Sequence, residues 1–115
     1  MEILQLLDDI EWIVKYEVVD YKNWDTGQLY KIKIYLKNNT QLFIREYVDL
    51  KERFYSYHWQ DSNDNLIIRW DNSPHYLKIK TFPHHKHIKN KITESDEITI
   101  NELIGYISKN ISFKL

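Results

Sequence analysis

Between Val14 and Asp71 the chain keeps returning to the same arrangement, a short run of alternating apolar and polar residues followed by a cluster of turn formers. Val14, Tyr16 and Val18 alternate with Lys15 and Glu17, and Tyr30, Ile32, Ile34 and Leu36 alternate with Lys31 and Lys33. A period of two is the period of a strand whose two faces meet different surroundings. The segments Asn23-Trp24-Asp25-Thr26-Gly27 and Lys37-Asn38-Asn39-Thr40 supply turns, because Asn and Gly accept the left-handed backbone that β-branched residues resist. A third strand, Gln41 to Val48, puts Leu42, Ile44, Glu46 and Val48 on one face and Phe43, Arg45 and Tyr47 on the other. A fourth, Arg53 to Gln60, sets Phe54, Ser56, His58 and Gln60 against Tyr55, Tyr57 and Trp59. After Asp61-Ser62-Asn63-Asp64-Asn65 a fifth runs from Leu66 to Asp71, with Ile67, Arg69 and Asp71 sharing a face.

The period changes only at the two ends. Ile3, Leu6, Leu7, Ile10, Ile13 and Val14 recur at three- and four-residue spacing, which predicts a helix over residues 2–12. Thr99-Ile100-Asn101-Glu102 forms a capping box, and Ile100, Leu103, Ile104, Ile107 and Ile111 make the buried stripe of a second helix. Residues 72–93 hold both prolines, Pro74 and Pro83, and read as a structured loop with a short sixth strand at Tyr76 to Lys80. The expectation is an α+β fold, a curved antiparallel sheet of five to six strands flanked by an N-terminal and a C-terminal helix. A chain of 115 residues fits one domain over 1–115.

Composition narrows the chemistry. With no cysteine, thiolate nucleophiles, thiolate metal ligands and disulfides are excluded, in keeping with a reducing compartment. Two glycines, Gly27 and Gly105, cannot build a phosphate-binding glycine loop, and no serine has the flanks of a nucleophile elbow. No stretch approaches the roughly 18 consecutive apolar residues of a membrane span. The N-terminal residues carry acids where a signal peptide carries Lys and Arg, so the expected location is the cytoplasm. Sixteen basic against seventeen acidic residues give a net charge of −1, too balanced for indiscriminate capture of nucleic acid.

The charge is nevertheless segregated. Between Asn72 and Thr93 stand five lysines, Lys78, Lys80, Lys86, Lys89 and Lys91, no acid, and four of the five histidines. Cations beside aromatic strands suit a phosphate-rich partner, with Tyr55, Tyr57 and Trp59 as stacking candidates. Asn72, His75, His84, Lys78 and Lys80 complete the candidate substrate-binding set. In Pro83-His84-His85-Lys86-His87 an extended backbone puts His85 and His87 on one side and His84 with Lys86 on the other. Two imidazoles can serve as base and acid on an RNA 2′-hydroxyl and the departing 5′-oxygen, with Lys86 and Arg69 on the phosphate. Glu46, His58, Asp71 and His75 are candidates to orient them, and a meander register would gather Glu46, His58 and Arg69 on one concave face. That route needs no metal or other cofactor. A competing use has His85 and His87, with Asp71 or Glu46, hold a transition ion for a metal-dependent phosphodiesterase. A third has the basic segment bind RNA, DNA or protein without turnover.

Tyr55-Ser56-Tyr57-His58-Trp59-Gln60, Arg69-Trp70-Asp71-Asn72-Ser73-Pro74-His75 and Thr81-Phe82-Pro83-His84-His85-Lys86-His87 resemble, in order and spacing, the signature blocks of the TumE-type family of small bacterial and archaeal toxin–antitoxin proteins. Trp59 and Trp70 stand where Tyr or Phe is expected, and Ser73 where Ala is usual. The resemblance implies the toxin of a two-gene module, an intracellular target, and an adjacent, small DNA-binding antitoxin. The habit of small toxins to attack RNA, joined to the His, Lys and Arg chemistry, gives the expectation of a metal-independent ribonuclease. An acidic antitoxin would find its best complement over the basic segment.

Overall fold

The structure, a computed structural model, describes residues 2–111. Helix α1 (Glu2–Asp8) leads into β1 (Ile13–Trp24), β2 (Gly27–Leu36), β3 (Gln41–Val48), β4 (Arg53–Gln60), β5 (Leu66–Asp71), β6 (His85–Ile88) and β7 (Lys91–Glu94), and α2 (Ile100–Asn110) closes the chain. The strands pair in sequence order, every neighbour antiparallel, so the sheet is a meander. Tight turns do the reversing. Asn39 and Asp64 take left-handed φ of 66° and 64° in the turns after β2 and β4, as short polar side chains can. At Gly27 the backbone carbonyl of Val48 and the Trp24 ring approach so closely that no Cβ fits.

Alternation then sorts the side chains. Tyr30, Ile32, Ile34, Leu42, Ile44, Tyr57, Trp59, Ile68 and Trp70 form one buried cluster with Ile3 and Leu7 of α1 and Leu103 and Ile107 of α2. Both helices therefore lie on one face of the sheet and leave the other open. Trp12 Nε1 donates to Ser108 Oγ at 3.0 Å, and the Tyr106 ring meets Trp59 and Trp70 edge-on, tying α2 to the strands. The capping box forms as expected: Thr99 Oγ1 accepts from the Glu102 N–H while the Glu102 carboxylate accepts from the Thr99 N–H.

Three expectations need correction. The first helix stops at Asp8 rather than near residue 12, since Asp8 and Asp9 set negative charge against the negative end of its dipole and no base offsets them. No strand forms at Tyr76 to Lys80; successive turns carry the chain there, with the Ile79 N–H on the Tyr76 carbonyl and the Phe82 N–H on that of Ile79. The sheet instead has seven strands, because His85 to Glu94 is a hairpin whose two-residue turn, Lys89 and Asn90, has φ of 49° and 64°. Lys-Asn meets the positive-φ requirement of that turn without the glycine that would have advertised it.

Candidate active site

The open face is ordered by two adjacent ladders that run across the strands. One places Lys31 opposite Arg45, Arg45 opposite Ser56, Ser56 opposite Asp71 and Asp71 opposite His85. The other runs Lys33, Phe43, His58, Arg69, His87. Five residues expected to carry chemistry, His58, Arg69, Asp71, His85 and His87, thus share one end of this face because β4, β5 and β6 are successive neighbours.

Asp71 is the centre. Its Oδ1 accepts from the Ser73 N–H at 3.0 Å and the Ser73 hydroxyl at 2.9 Å, and its Oδ2 from Arg69 Nε at 3.0 Å. Burial alone would raise its pKa, but the Ser73 amide, Arg69, the Ser73 hydroxyl and the charge of His85 outweigh that and hold the carboxyl below its ordinary value. His85 Nε2 lies 2.9 Å from Oδ1, off the line of a good hydrogen bond, and His87 Nε2 lies 3.4 Å from Oδ2. His85 Nδ1 sits 2.9 Å from the Pro83 carbonyl, which can only accept, so that nitrogen carries hydrogen. The Tyr76 ring stands edge-on to both His85 and His87.

The exposures separate the two imidazoles. His85 is 1% exposed and meets nothing that arrives from solvent, whereas the His87 side chain is 23% exposed. Burial lowers the His87 pKa, Asp71 opposes this, and the charges of His85 and Arg69 push it further down. His58 is lowered too, by burial first and also by Arg69, with Gln60 opposing. Arg69 Nη1 approaches His58 Nδ1 at 3.4 Å and can only donate, so Nδ1 is the lone-pair nitrogen and Nε2–H faces Gln60 Oε1 at 3.0 Å.

Other expected site residues lie elsewhere. Glu46 faces the helices, not His58, and holds Arg53 at 2.8 Å and the Tyr30 hydroxyl. Tyr57 and Trp59 are buried under α2, Tyr57 accepting from Arg53 at 2.8 Å and Trp59 donating to Thr40 at 2.9 Å, so neither offers a face to a base. His84 binds the Tyr55 hydroxyl at 2.8 Å on that same helix side. Lys86 pairs with Trp70 and Thr93 and points away from His87; it lines a separate cleft with Lys78 and Lys80. Asn72 ties β4 to the end of β5, its Oδ1 accepting from the Tyr55 N–H at 2.9 Å and its Nδ2 donating to the Arg53 carbonyl at 2.7 Å. His75 is exposed in the turn segment and joins no part of the cluster.

Two features went unassigned in the sequence. Ser73 braces Asp71, and Arg45 extends the open face; strand alternation had already placed Arg45 beside Phe43, and the register shows why that matters. The donor atoms of Asp71, His85 and His87 lie within 4.8 Å of one another, close enough for a metal ion. Against that use stands Arg69, whose cation sits on Asp71 Oδ2 and would repel a second one.

A meander sheet with one face under helices and an Asp-His-Arg cluster on the other defines a small α+β protein with a group of titratable side chains on its open face. The chain matches the family described as Toxin TumE over residues 3–111, essentially its whole length, and belongs to that family. It is thus the toxin component of a toxin–antitoxin pair, with a cognate antitoxin as partner. No curated protein and no solved structure matches it. Among the described residues no helix is long and apolar enough to cross a membrane.

Proposed function

We propose that this toxin is a metal-independent endoribonuclease acting in the cytoplasm, with His87 as general base and Arg69 as the phosphate-binding cation. The observation that carries the reading is the Asp71–His87 contact on an open face beside Arg69. With Nε2 turned to Asp71, His87 presents Nδ1 to a 2′-hydroxyl and takes its proton. The 2′-oxygen attacks the adjacent phosphorus and the bond to the 5′-oxygen breaks, leaving a 2′,3′-cyclic phosphate and a 5′-hydroxyl end that takes its proton from water. Arg69 stabilises the pentacoordinate phosphate, where preformed charge is most effective. His85 does not touch substrate in this reading; it braces Asp71 from beneath. His58, kept neutral by burial and Arg69, holds the guanidinium in place. The cognate antitoxin, a small DNA-binding protein, neutralises by covering the basic rim at Lys78 and Lys80.

The test induces wild type and His87→Ala without the antitoxin and maps new RNA 5′ ends. Growth arrest with new 5′-hydroxyl ends in the wild type alone is expected, and purified protein should cut RNA at an undiminished rate in chelator. Arrest by both proteins without new ends overturns the reading. Loss of cleavage in chelator would assign Asp71, His85 and His87 to a metal.

A further inference from the structure

Beyond the cutting site, the open face continues as a line. From Arg69 the two ladders lead through His58 to Phe43 and Arg45, two strand spacings away, and on to Lys31 and Lys33, three spacings or roughly 14 Å away. Lys31, Phe43, Arg45, Ser56, His58 and Arg69 line a shallow cleft of ≈ 440 Å³. Arg69 pairs with Asp71, but the other basic side chains along it form no ion pair among the described residues. Arg45 is exposed, its cross-strand neighbours are Lys31 and Ser56, and among the described residues no carboxylate pairs with it. The line ends at β2, because β1 sets Asp20 opposite Lys31 and Glu17 opposite Lys33.

Phe43 sits in the middle of this line, half-buried, with the His58 ring edge-on to it at 5.9 Å. The Lys33 ammonium rests over its face at 5.5 Å and over Tyr35 at 4.9 Å. An exposed cation–π contact is weaker than the stacking of a nucleobase on the same ring, and lysine's flexible stem lets the ammonium move to a phosphate. A cation, an aromatic ring and a cation in single file match one sugar–phosphate backbone with its bases unstacked. A duplex hides its base faces and presents two lines of phosphate, which this narrow strip does not complement.

We propose that single-stranded RNA crosses the open face perpendicular to the strands, a base stacked on Phe43, phosphates on Arg45 and Lys31, and the scissile phosphate at Arg69. The proposal rests on the ribonuclease reading for the direction of the path, but the binding strip is testable without cleavage. The probe is a fluorescein-labelled, fully 2′-O-methylated RNA 10-mer of mixed sequence, which lacks the attacking hydroxyl, followed by anisotropy alone and annealed to its complement. The single strand should bind at least tenfold more tightly than the duplex. Phe43→Ala should weaken it about tenfold, within the range for loss of one base–aromatic stack. Phe43→Leu, which keeps the apolar bulk, should weaken it similarly while unfolding like the wild type. Arg45→Gln should reduce the slope of log K against log salt by about 0.7, one single-strand phosphate contact.

Equal binding of duplex and single strand, or wild-type binding by the Phe43 and Arg45 variants, overturns the path. His87→Gln separates the two readings. If it binds the probe normally and fails to cut unmodified RNA, both stand. If the Phe43-dependent binding holds but the wild type cuts no RNA, the path stands and the ribonuclease reading falls. If RNA is cut with no Phe43 or Arg45 dependence, the reverse is true.

Discussion

Glu46 and Asp71, both nearly buried in the same sheet, face opposite ways and have opposite company. Glu46 lies under the helices. Arg53 reaches it at 2.8 Å, and the same guanidinium binds Glu97 at 2.9 Å, the Tyr57 hydroxyl at 2.8 Å and the Ile98 carbonyl at 3.0 Å. Such a group is a clamp between β3, β4 and the approach to α2, all of its partners permanently charged or neutral near pH 7. Asp71 looks out on the open face, and two imidazoles share it with Arg69. Of the two buried carboxylates, only Asp71 has partners that can exchange protons near neutral pH with one of them reaching solvent, which is what makes it the candidate for chemistry.

The comparison can be broken most sharply at Asp71. Asp71→Asn keeps the shape but removes the charge that orients His87 and balances Arg69, so kcat should fall about a thousandfold. Ser73→Ala, which leaves the carboxylate in place, should cost much less in the same RNA cleavage assay. A rate for Asp71→Asn within a few-fold of wild type would reduce the cluster to a structural one. The next effect belongs to the other face. Glu46→Gln leaves Arg53 with Glu97 and the Ile98 carbonyl, so the loss in unfolding free energy should be roughly 2 kcal/mol, less than for a fully stranded buried charge. Urea unfolding measures it, and kcat per folded molecule should be unchanged. A large loss of kcat at full stability would return Glu46 to the active site.

Much of this division was legible in the sequence, and its failures have physical causes. Alternation set Arg69 with Asp71 and His85 with His87, and both pairs hold. The same alternation put Glu46 on the face of Leu42 and Ile44, which is the helix face, while His58 shares a strand face with Ser56; their convergence required a register one residue from the actual one, which would have turned the apolar face of β4 away from the helices. Trp59 stands directly opposite Leu42 and Tyr57 opposite Ile44, so these aromatics belong to the core rather than to a ligand. The partner of Glu46 lies on the helix face too, since Arg53 is in phase with Tyr55, Tyr57 and Trp59, but the pairing emerges only from the register that brings the start of β4 beside the end of β3. The hairpin over His85 to Glu94 escaped notice because Lys86, Lys89 and Lys91 read as solvated charge, and the helix-side position of Lys86 becomes visible only once β6 pairs with β5.

The smallest effect separates the two faces by pH. His58 and His87 have pKa values below 6.5 in the fold, so their contribution to stability is complete above 6.5 and is lost as pH falls from there toward the folded values; Asp71, also lowered, adds its loss below about 3.8. The helix face has the opposite sign. Burial and Glu46 push the Tyr30 and Tyr57 hydroxyls far up, and burial carries Tyr55 to about 12, so their contribution is complete below pH 10 and is lost as pH rises beyond it. Unfolding free energy followed across pH should therefore show an acid limb that flattens in His58→Gln/His87→Gln and an alkaline limb that flattens in Tyr30→Phe/Tyr57→Phe. Activity gives the matching test on the open side alone: kcat/KM should rise with pH through an apparent pKa below 6.5 and be level by neutrality, because the base is competent once His87 is neutral. An activity limb centred above 6.5, or one that Tyr30→Phe moves, would mean that the proton acceptor is not His87.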